Sequence, residues 1–490
     1  MNTALRRASL VSLLLIVILL ANLTWVQAFQ EDHYANNDYN RRQIYRSELI
    51  ARGQISAGDD VLAYSVADED GRYHREYSDT AYLYGPTLGY LSTQLGITGL
   101  EASQNTTLNQ ENSVKLTIDP AVQKVAYDQL IEPGYEGAAV AVKASTGEIL
   151  AMASSPSYDP VTVEDNWEEL SQDPQSPLLN HASQDTLPPG STFKVITATA
   201  ALLNGYTPSS PVTGAAVITL PGTDNVTLEN YGGATCAGGG TVTLTQAFAY
   251  SCNTAFATIG GDLDAGTFEE VATAFGIGED YTKLGVPTSP GSLGDVTDTA
   301  ARAQSAIGQR DVTVSALQNA MVAATVANKG LRMEPYLVKE VDGPDLSIEY
   351  KAKPTEAADV MPANVAEQVR QLMVASERNT WGFTDPSIAS KTGTAEWGTD
   401  SRQSAPHTWY IAFQGDVAVA VVVKNGGNLG QAATGGQVAS PVARAILAAA
   451  RSYSQPNPAT GAQPNRQAGA ATGAQPNRQA GAATQAGGQQ

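Results

Sequence analysis

Residues 10–29, LVSLLLIVILLANLTWVQAF, are twenty consecutive positions without a charged side chain. At ~1.5 Å per residue in a helix, such a run spans the ~30 Å hydrocarbon core of a bilayer. Arg6 and Arg7 stand before it and Glu31 and Asp32 after it. Basic residues on the leading side put residues 1–9 in the cytoplasm and the chain beyond residue 30 outside the membrane. The competing reading is a cleaved signal peptide, since VQA precedes Phe29. The apolar run exceeds the roughly 7–15 residues of a signal core, so an uncleaved single-pass anchor is expected.

The chain beyond the anchor must fold on its own. A chain of 490 residues, 42% of them hydrophobic, can build one large domain or two of ordinary size. Residues 30–134 are polar and rich in tyrosine, with turn signals such as SAGDD and DEDGR and no catalytic pattern. From 135 to 452 the patterns sharpen. GAAVAVKASTGEILAMASS reads as an antiparallel hairpin around a Ser-Thr-Gly turn. PAVQKVAYDQL, just before it, has helical spacing. A helical middle is expected over roughly 191–325. SIASKTGTAEWG, HTWYIAFQG and DVAVAVVVKNG then read as three strands, and SPVARAILAAARSY as a closing helix. Strands at both ends with helices between imply an α/β (α+β) fold, one mixed sheet carrying a helical insertion. The last stretch, 453–490, repeats ATGAQPNRQAGA at 459–470 and 471–482; its composition predicts a disordered tail.

Composition excludes some chemistry. A net charge of −20 argues against a nucleic-acid partner, which needs clustered Lys and Arg. The four histidines, His33, His74, His181 and His407, have no metal-ligand spacing, so no metal and no cofactor are expected. Cys236 and Cys252 stand sixteen apart around a Gly-rich loop; a disulfide and two buried free thiols are both open.

With so few histidines, a serine nucleophile needs another base. LPPGSTFKVITATAALLNG places Ser191 and Lys194 three residues apart, on one face of a helix. Of the chain's eleven lysines, Lys194 alone has a serine at that offset. Pro188, Pro189 and Gly190 force a sharp turn that leaves Ser191 at a helix N-terminus, where backbone N–H groups favour developing negative charge. The apolar remainder buries the lysine and lowers its affinity for a proton. A surface Ser–Lys pair is the bland reading, but this helix leaves no solvated face for one. Ser251 and Asn253 stand in an apolar helical stretch, AFAYSCNTAFATIG, where two polar side chains are costly unless they face a cleft. Lys391, Thr392, Gly393 and Thr394 offer a cation, two hydroxyls and a strand glycine open to close approach. Each motif alone is weak. The ordered triple Ser-x-x-Lys, Ser-x-Asn, Lys-Thr-Gly is that of penicillin-binding proteins and β-lactamases.

On these motifs the chain resembles class B penicillin-binding proteins, the membrane-anchored D,D-transpeptidases of peptidoglycan synthesis. The likeness also takes in RGQI at 52–55, YGPTLGYLSTQLGITGLE at 84–101 and SAIGQRDVTVSALQNAMVAATVANKG at 305–330. Its short N-terminal region is most like that of actinobacterial members. The resemblance implies a non-catalytic pedestal over 30–134 and a β-lactamase-like serine acyl-transferase domain over 135–452. It implies that Ser191 attacks the penultimate D-Ala carbonyl of a stem peptide and that Lys194 takes its proton. Ser251 and Asn253 would shuttle a proton to the leaving D-Ala and hold the substrate amide. Lys391, Thr392 and Thr394 would bind the terminal carboxylate, and the N–H groups of Ser191 and Thr394 would form the oxyanion hole. β-Lactams would acylate Ser191. Implied partners are a polytopic glycan polymerase and other division proteins. Cys252 inside the second motif departs from the familiar pattern. Three alternatives share parts of this sequence: a β-lactam hydrolase, since STFK is also the wording of class D β-lactamases; a penicillin sensor; and an inert division scaffold.

Overall fold

The computed structural model describes residues 2–30, 48–397 and 404–453. The repeat tail expected to be disordered lies outside these residues, apart from position 453.

Helix α1, Asn2–Phe29, contains an apolar span, Leu5–Phe29, long enough to cross a membrane. It starts ahead of the arginine pair, so Arg6 and Arg7 lie within its first two turns. Strands β1 (Ile55–Ala57), β2 (Asp60–Ala67), β3 (Tyr73–Tyr77) and β4 (Ser113–Leu116) come next. Helix α2, Pro120–Ile131, begins at proline and is capped by Asp119, whose carboxylate accepts the N–H groups of Ala121 and Val122. Strands β5 (Gly137–Lys143) and β6 (Ile149–Ser155) make the expected hairpin. Beyond it come α3 (Lys194–Leu203), α4 (Leu244–Ala249), α5 (Asn253–Asp262) and α6 (Ala316–Ala327). The chain closes with β7 (Val338–Asp342), β8 (Ile348–Lys351), α7 (Ala363–Arg378), β9 (Ala389–Ala395), β10 (His407–Gln414), β11 (Val417–Val423) and α8 (Ala439–Ala449).

Two sheets organise these elements. The larger core is built on the order β9-β10-β11-β5-β6, with every pairing antiparallel. β11 is central and buried along its whole length, which is why VAVAVVV reads as an unbroken apolar run. Residues of alternating parity feed two cores. Val122, Ala126 and Leu130 of α2 and Val442, Ala443 and Ile446 of α8 pack with Ala139, Tyr410 and Val421 on one face. The other face, with Val140, Trp409 and Ile411, packs under α6 and α7. The result is three layers, with helices on both faces of an antiparallel sheet.

Two expectations need correction. The mixed sheet is not this one. It is the six-stranded N-terminal sheet, order β8-β7-β4-β1-β2-β3, in which β1 and β4 run parallel. That sheet draws β7 and β8 from far along the chain. The helical middle is also interrupted: Pro211–Thr213 pairs with Thr241–Thr243, and Val217–Thr219 with Thr227–Glu229. Prolines and glycines break the helical period there, and β-branched Thr and Val favour extended backbone.

Candidate active site

The Ser191 turn is a short 3-10 segment, Gly190–Phe193, that runs directly into α3. Gly190 has φ +53°, and its N–H donates to the carbonyl of Gly308 at 2.9 Å. A Cβ on Gly308 would stand 2.0 Å from the Gly190 carbonyl oxygen, so only glycine fits opposite this turn. Thr192 Oγ1 donates to the Pro189 carbonyl at 2.9 Å, and Asn319 of α6 donates to Thr192 Oγ1 at 3.0 Å. The nucleophile candidate is thereby held from two sides. Asn319 carried no signal in the sequence, where it sits in an otherwise apolar helix.

Lys194 does not bond to Ser191. Its Nζ donates to Asn253 Oδ1 at 2.7 Å and to the Ser251 carbonyl at 2.8 Å, and lies 3.4 Å from Ser251 Oγ. Lys391 Nζ donates to Ser251 Oγ at 2.9 Å and to its neighbour's carbonyl, Thr392 O, at 3.1 Å. Ser251 therefore stands between two amines. Both lysines are fully buried, and each Nζ rides over a phenylalanine ring, Lys194 over Phe256 at 5.6 Å and Lys391 over Phe248 at 5.7 Å. Burial pushes Lys391 down to about 7. Burial, with the charge of Lys391 added to it, pushes Lys194 well below the ordinary lysine range. No carboxylate contributes to either shift.

The second motif is not inside one helix, as expected, but between two. Ser251 N–H donates to Phe248 O and Cys252 N–H to Ala247 O, the paired bonds of a Schellman ending for α4. Ser251 occupies the left-handed position, φ +58°, where glycine is usual. That conformation costs of order 1–3 kcal/mol in a non-glycine residue and clusters at functional sites. Here it aims both the hydroxyl and the carbonyl of Ser251 at the lysines. Asn253 opens α5, and its Nδ2 donates to Glu229 O at 3.4 Å. Asn230, which sequence reasoning missed, receives Thr254 N–H on its Oδ1 at 3.0 Å. Cys236 and Cys252 are bonded as a disulfide, with Cα atoms 5.7 Å apart, and close the same loop.

Lys391, Gly393 and Ala395 are buried along β9, while Thr392 and Thr394 between them are half-buried. A Cβ on Gly393 would meet Pro189 O at 2.7 Å and Thr192 Cγ2 at 3.1 Å. Its missing side chain thus admits the chain's own Ser191 turn. Thr394 Oγ1 accepts Gly435 N–H at 3.4 Å. Among the described residues, no group of three His, Cys, Asp or Glu side chains is arranged to hold a metal ion.

A half-buried serine between two buried amines that no carboxylate pairs, with a second serine at a helix start, is the arrangement of an acyl-transfer site. Comparison with known proteins agrees. The family described as penicillin binding protein transpeptidase domain matches residues 137–448, and that described as penicillin binding protein A dimerisation domain matches residues 52–128. The chain belongs to the class B penicillin-binding proteins, the peptidoglycan D,D-transpeptidases. It is 42% identical to the peptidoglycan D,D-transpeptidase PbpA of Mycolicibacterium smegmatis, over 92% of this chain and 99% of that one. Identity to PbpA of Mycobacterium tuberculosis is 40%, with the same coverage. The solved structure of penicillin-binding protein A from M. tuberculosis as a ceftriaxone acyl-enzyme covers 83% of this chain and 99% of that one, with TM-score 0.79 and 39% identity. The penicillin G acyl-enzyme of the same protein matches with TM-score 0.77. This transpeptidase accordingly acts in cell-wall synthesis and binds β-lactams.

Proposed function

We propose that Ser191 is the residue acylated in the transpeptidase reaction and that Lys194 is its base. The observation that carries this is the burial of Lys194 beside Lys391 with no carboxylate to keep it charged. A neutral amine donates two protons, to Asn253 Oδ1 and the Ser251 carbonyl, and keeps a lone pair for the hydroxyl proton of Ser191. The Ser191–Lys194 contact would form when substrate is bound, since catalytic hydrogen bonds often tighten only in the complex.

Ser191 Oγ attacks the penultimate D-Ala carbonyl, and its proton passes to Lys194 Nζ. The oxyanion is held by the N–H groups of Ser191 and Thr394; losing one such donor costs ~10²–10³ in rate. As the peptide C–N bond breaks, Ser251 gives its proton to the departing D-Ala nitrogen and is reprotonated from Lys194. The amine of a neighbouring stem peptide then attacks the acyl-enzyme, its proton passes through Ser251 to Lys194, and Lys194 gives a proton to Ser191 Oγ as the acyl C–O bond breaks. Lys391, when charged, binds the terminal carboxylate together with Thr392 and Thr394. Asn253 holds the substrate amide.

We also propose that α1 is a single-pass anchor with the catalytic region outside the cytoplasm, as the arginines on its leading side support. Uncross-linked glycan must reach the site from a polymerase, the class of partner expected beside the anchor and the N-terminal sheet, with division proteins around them. The test is the intact mass of the full chain in detergent during incubation with benzylpenicillin, beside Ser191→Ala. A persistent adduct absent from Ser191→Ala supports the assignment. An equal adduct on Ser191→Ala overturns it, and one that clears within seconds points to a hydrolase.

A further inference from the structure

One cluster of buried side chains has no part in the proton path. Glu377, near the end of α7, is fully buried. Its Oε2 accepts the hydroxyls of Ser390 at 2.5 Å and Tyr410 at 2.6 Å. Its Oε1 accepts Arg444 Nε at 3.1 Å and Nη2 at 2.7 Å. Four donors satisfy one carboxylate, which is the condition for burying a charge at all. Each donor leads somewhere. Ser390 immediately precedes Lys391. Tyr410 stands opposite Thr392 in β10. Arg444 of α8 donates on to the carbonyls of Trp381 at 3.0 Å and Gly382 at 2.8 Å, fixing the turn at the end of α7. From that same turn Asn379 Nδ2 donates to Ala249 O at 3.1 Å, two residues before Ser251.

The segment 377–382 therefore holds the Lys391 strand at one end and the Ser251 turn at the other. β9 needs such support, because it is an edge strand bonded to β10 on one side only. We propose that this segment is a bracket that sets the 2.9 Å spacing of Lys391 Nζ and Ser251 Oγ, with Glu377 a positioning residue for acylation. The proposal rests on the acyl-enzyme reading given above. Misplacement by about 1 Å is enough to cost on the order of 10²-fold in rate.

The test uses the full chain and a fluorescent penicillin, reading both the acylation rate constant and the final labelled fraction. Ser390→Ala and Asn379→Ala should each slow acylation by about 3- to 30-fold, with the labelled fraction unchanged. Ser390→Thr, which keeps the hydroxyl, should restore the rate to within about threefold. In a Lys391→Ala background, Ser390→Ala should change the residual rate by less than about twofold, since its effect runs through Lys391. Glu377→Gln should show the largest loss; should it fail to fold, the two milder variants decide. The bracket is overturned if Ser390→Ala, Asn379→Ala and their combination all react within about twofold of the parent, or if Ser390→Ala slows the Lys391→Ala chain as much as the parent. Labelling of Ser191→Ala would instead strike the acyl-enzyme reading itself, so the two failures are distinct.

Discussion

The molecule buries basic side chains in two places and treats them in opposite ways. In the N-terminal sheet Arg52 and Arg75 close on one carboxylate, with Arg52 Nη2 at 2.8 Å and Arg75 Nε at 2.5 Å from Glu101. All three side chains are nearly without solvent exposure. Burial pushes the Glu101 carboxyl up, but Arg75 and Arg52 outweigh it and hold it below the usual carboxylate range. At the catalytic sheet Lys194 and Lys391 are equally buried, yet only serine, asparagine and backbone oxygens meet them. The paired cluster keeps its charges and fixes structure. Of the unpaired amines, Lys194 is pushed toward the neutral form and becomes able to take up a proton, which is what a base requires, while Lys391 is brought down to about 7. Choice of residue runs along the same line: arginine, always charged, in the paired cluster, and titratable lysine where chemistry is done.

The sharpest way to break this contrast is to remove one group from each site. Lys194→Ala should lower the rate of acylation by benzylpenicillin by about 10³-fold or more while leaving a folded protein, because a base and its positioning are lost together. Glu101→Gln should do the reverse. It strands two buried guanidinium groups and should cost about 3–5 kcal/mol of stability, while the acylation rate of the molecules that remain folded is unchanged. Chemical denaturation and a fluorescent penicillin, applied to both variants, read the two quantities separately. A Glu101→Gln protein that is stable but slow to acylate would erase the distinction.

The pH dependence sharpens it further. Lys194 works as a base only when neutral, so acylation should rise tenfold per pH unit through its lowered pKa and level off far below the ordinary lysine range. Lys391 binds a carboxylate only when charged, so the rate should turn down on the alkaline side above about 7 in the free enzyme. Replacing Lys391 by Met should remove the alkaline limb along with most of the activity. A flat profile between pH 6 and pH 9, measured as the second-order acylation constant, would contradict the assignment of Lys391.

Much of this site could be read from local pattern, and the remainder for definite reasons could not. The hairpin β5–β6, helix α2 and strands β9 to β11 are continuous runs whose period shows within about a dozen residues. The Ser191 motif sits at a helix start, where Pro188, Pro189 and Gly190 mark the turn, and the Lys391 motif lies within the period-two run of β9. What stayed hidden depends on contacts distant in sequence. The hairpin β7–β8 joins the N-terminal sheet through Lys115 and Glu340, 225 positions apart, and nothing in VKEVD announces its partner. Ser251 reads as part of a helix because its neighbours are apolar; only the paired bonds of the α4 ending reveal the left-handed turn. Glu377 reads as one more charge on an amphipathic helix, although it is among the most deeply buried carboxylates of the described chain. Gly393 was legible as a place of close approach, but not which backbone comes close.

The smallest expected effect is also the most direct measure of what the unpaired site costs the fold. Lys391 binds a proton with an ordinary affinity when unfolded and with a pKa of about 7 when folded. Between about pH 7 and pH 10.5 the unfolded chain therefore holds more protons than the native one, and stability should rise with pH across that window. Glu101 contributes with the same sign in a separate window: its stabilisation is complete above the unfolded carboxyl pKa near 4.5 and is lost as pH falls through its lowered folded value. Lys391→Met keeps the volume and removes the titration. It should raise the melting temperature by about 2–6 °C near pH 7, flatten the rise above pH 7, and leave the acid limb set by Glu101 untouched. Thermal melts of parent and Lys391→Met at intervals from pH 4 to pH 10 would show it. A variant that melts lower than its parent at every pH would mean that the Lys391 ammonium is stabilised in place, and the two buried basic sites would then differ in partner but not in principle.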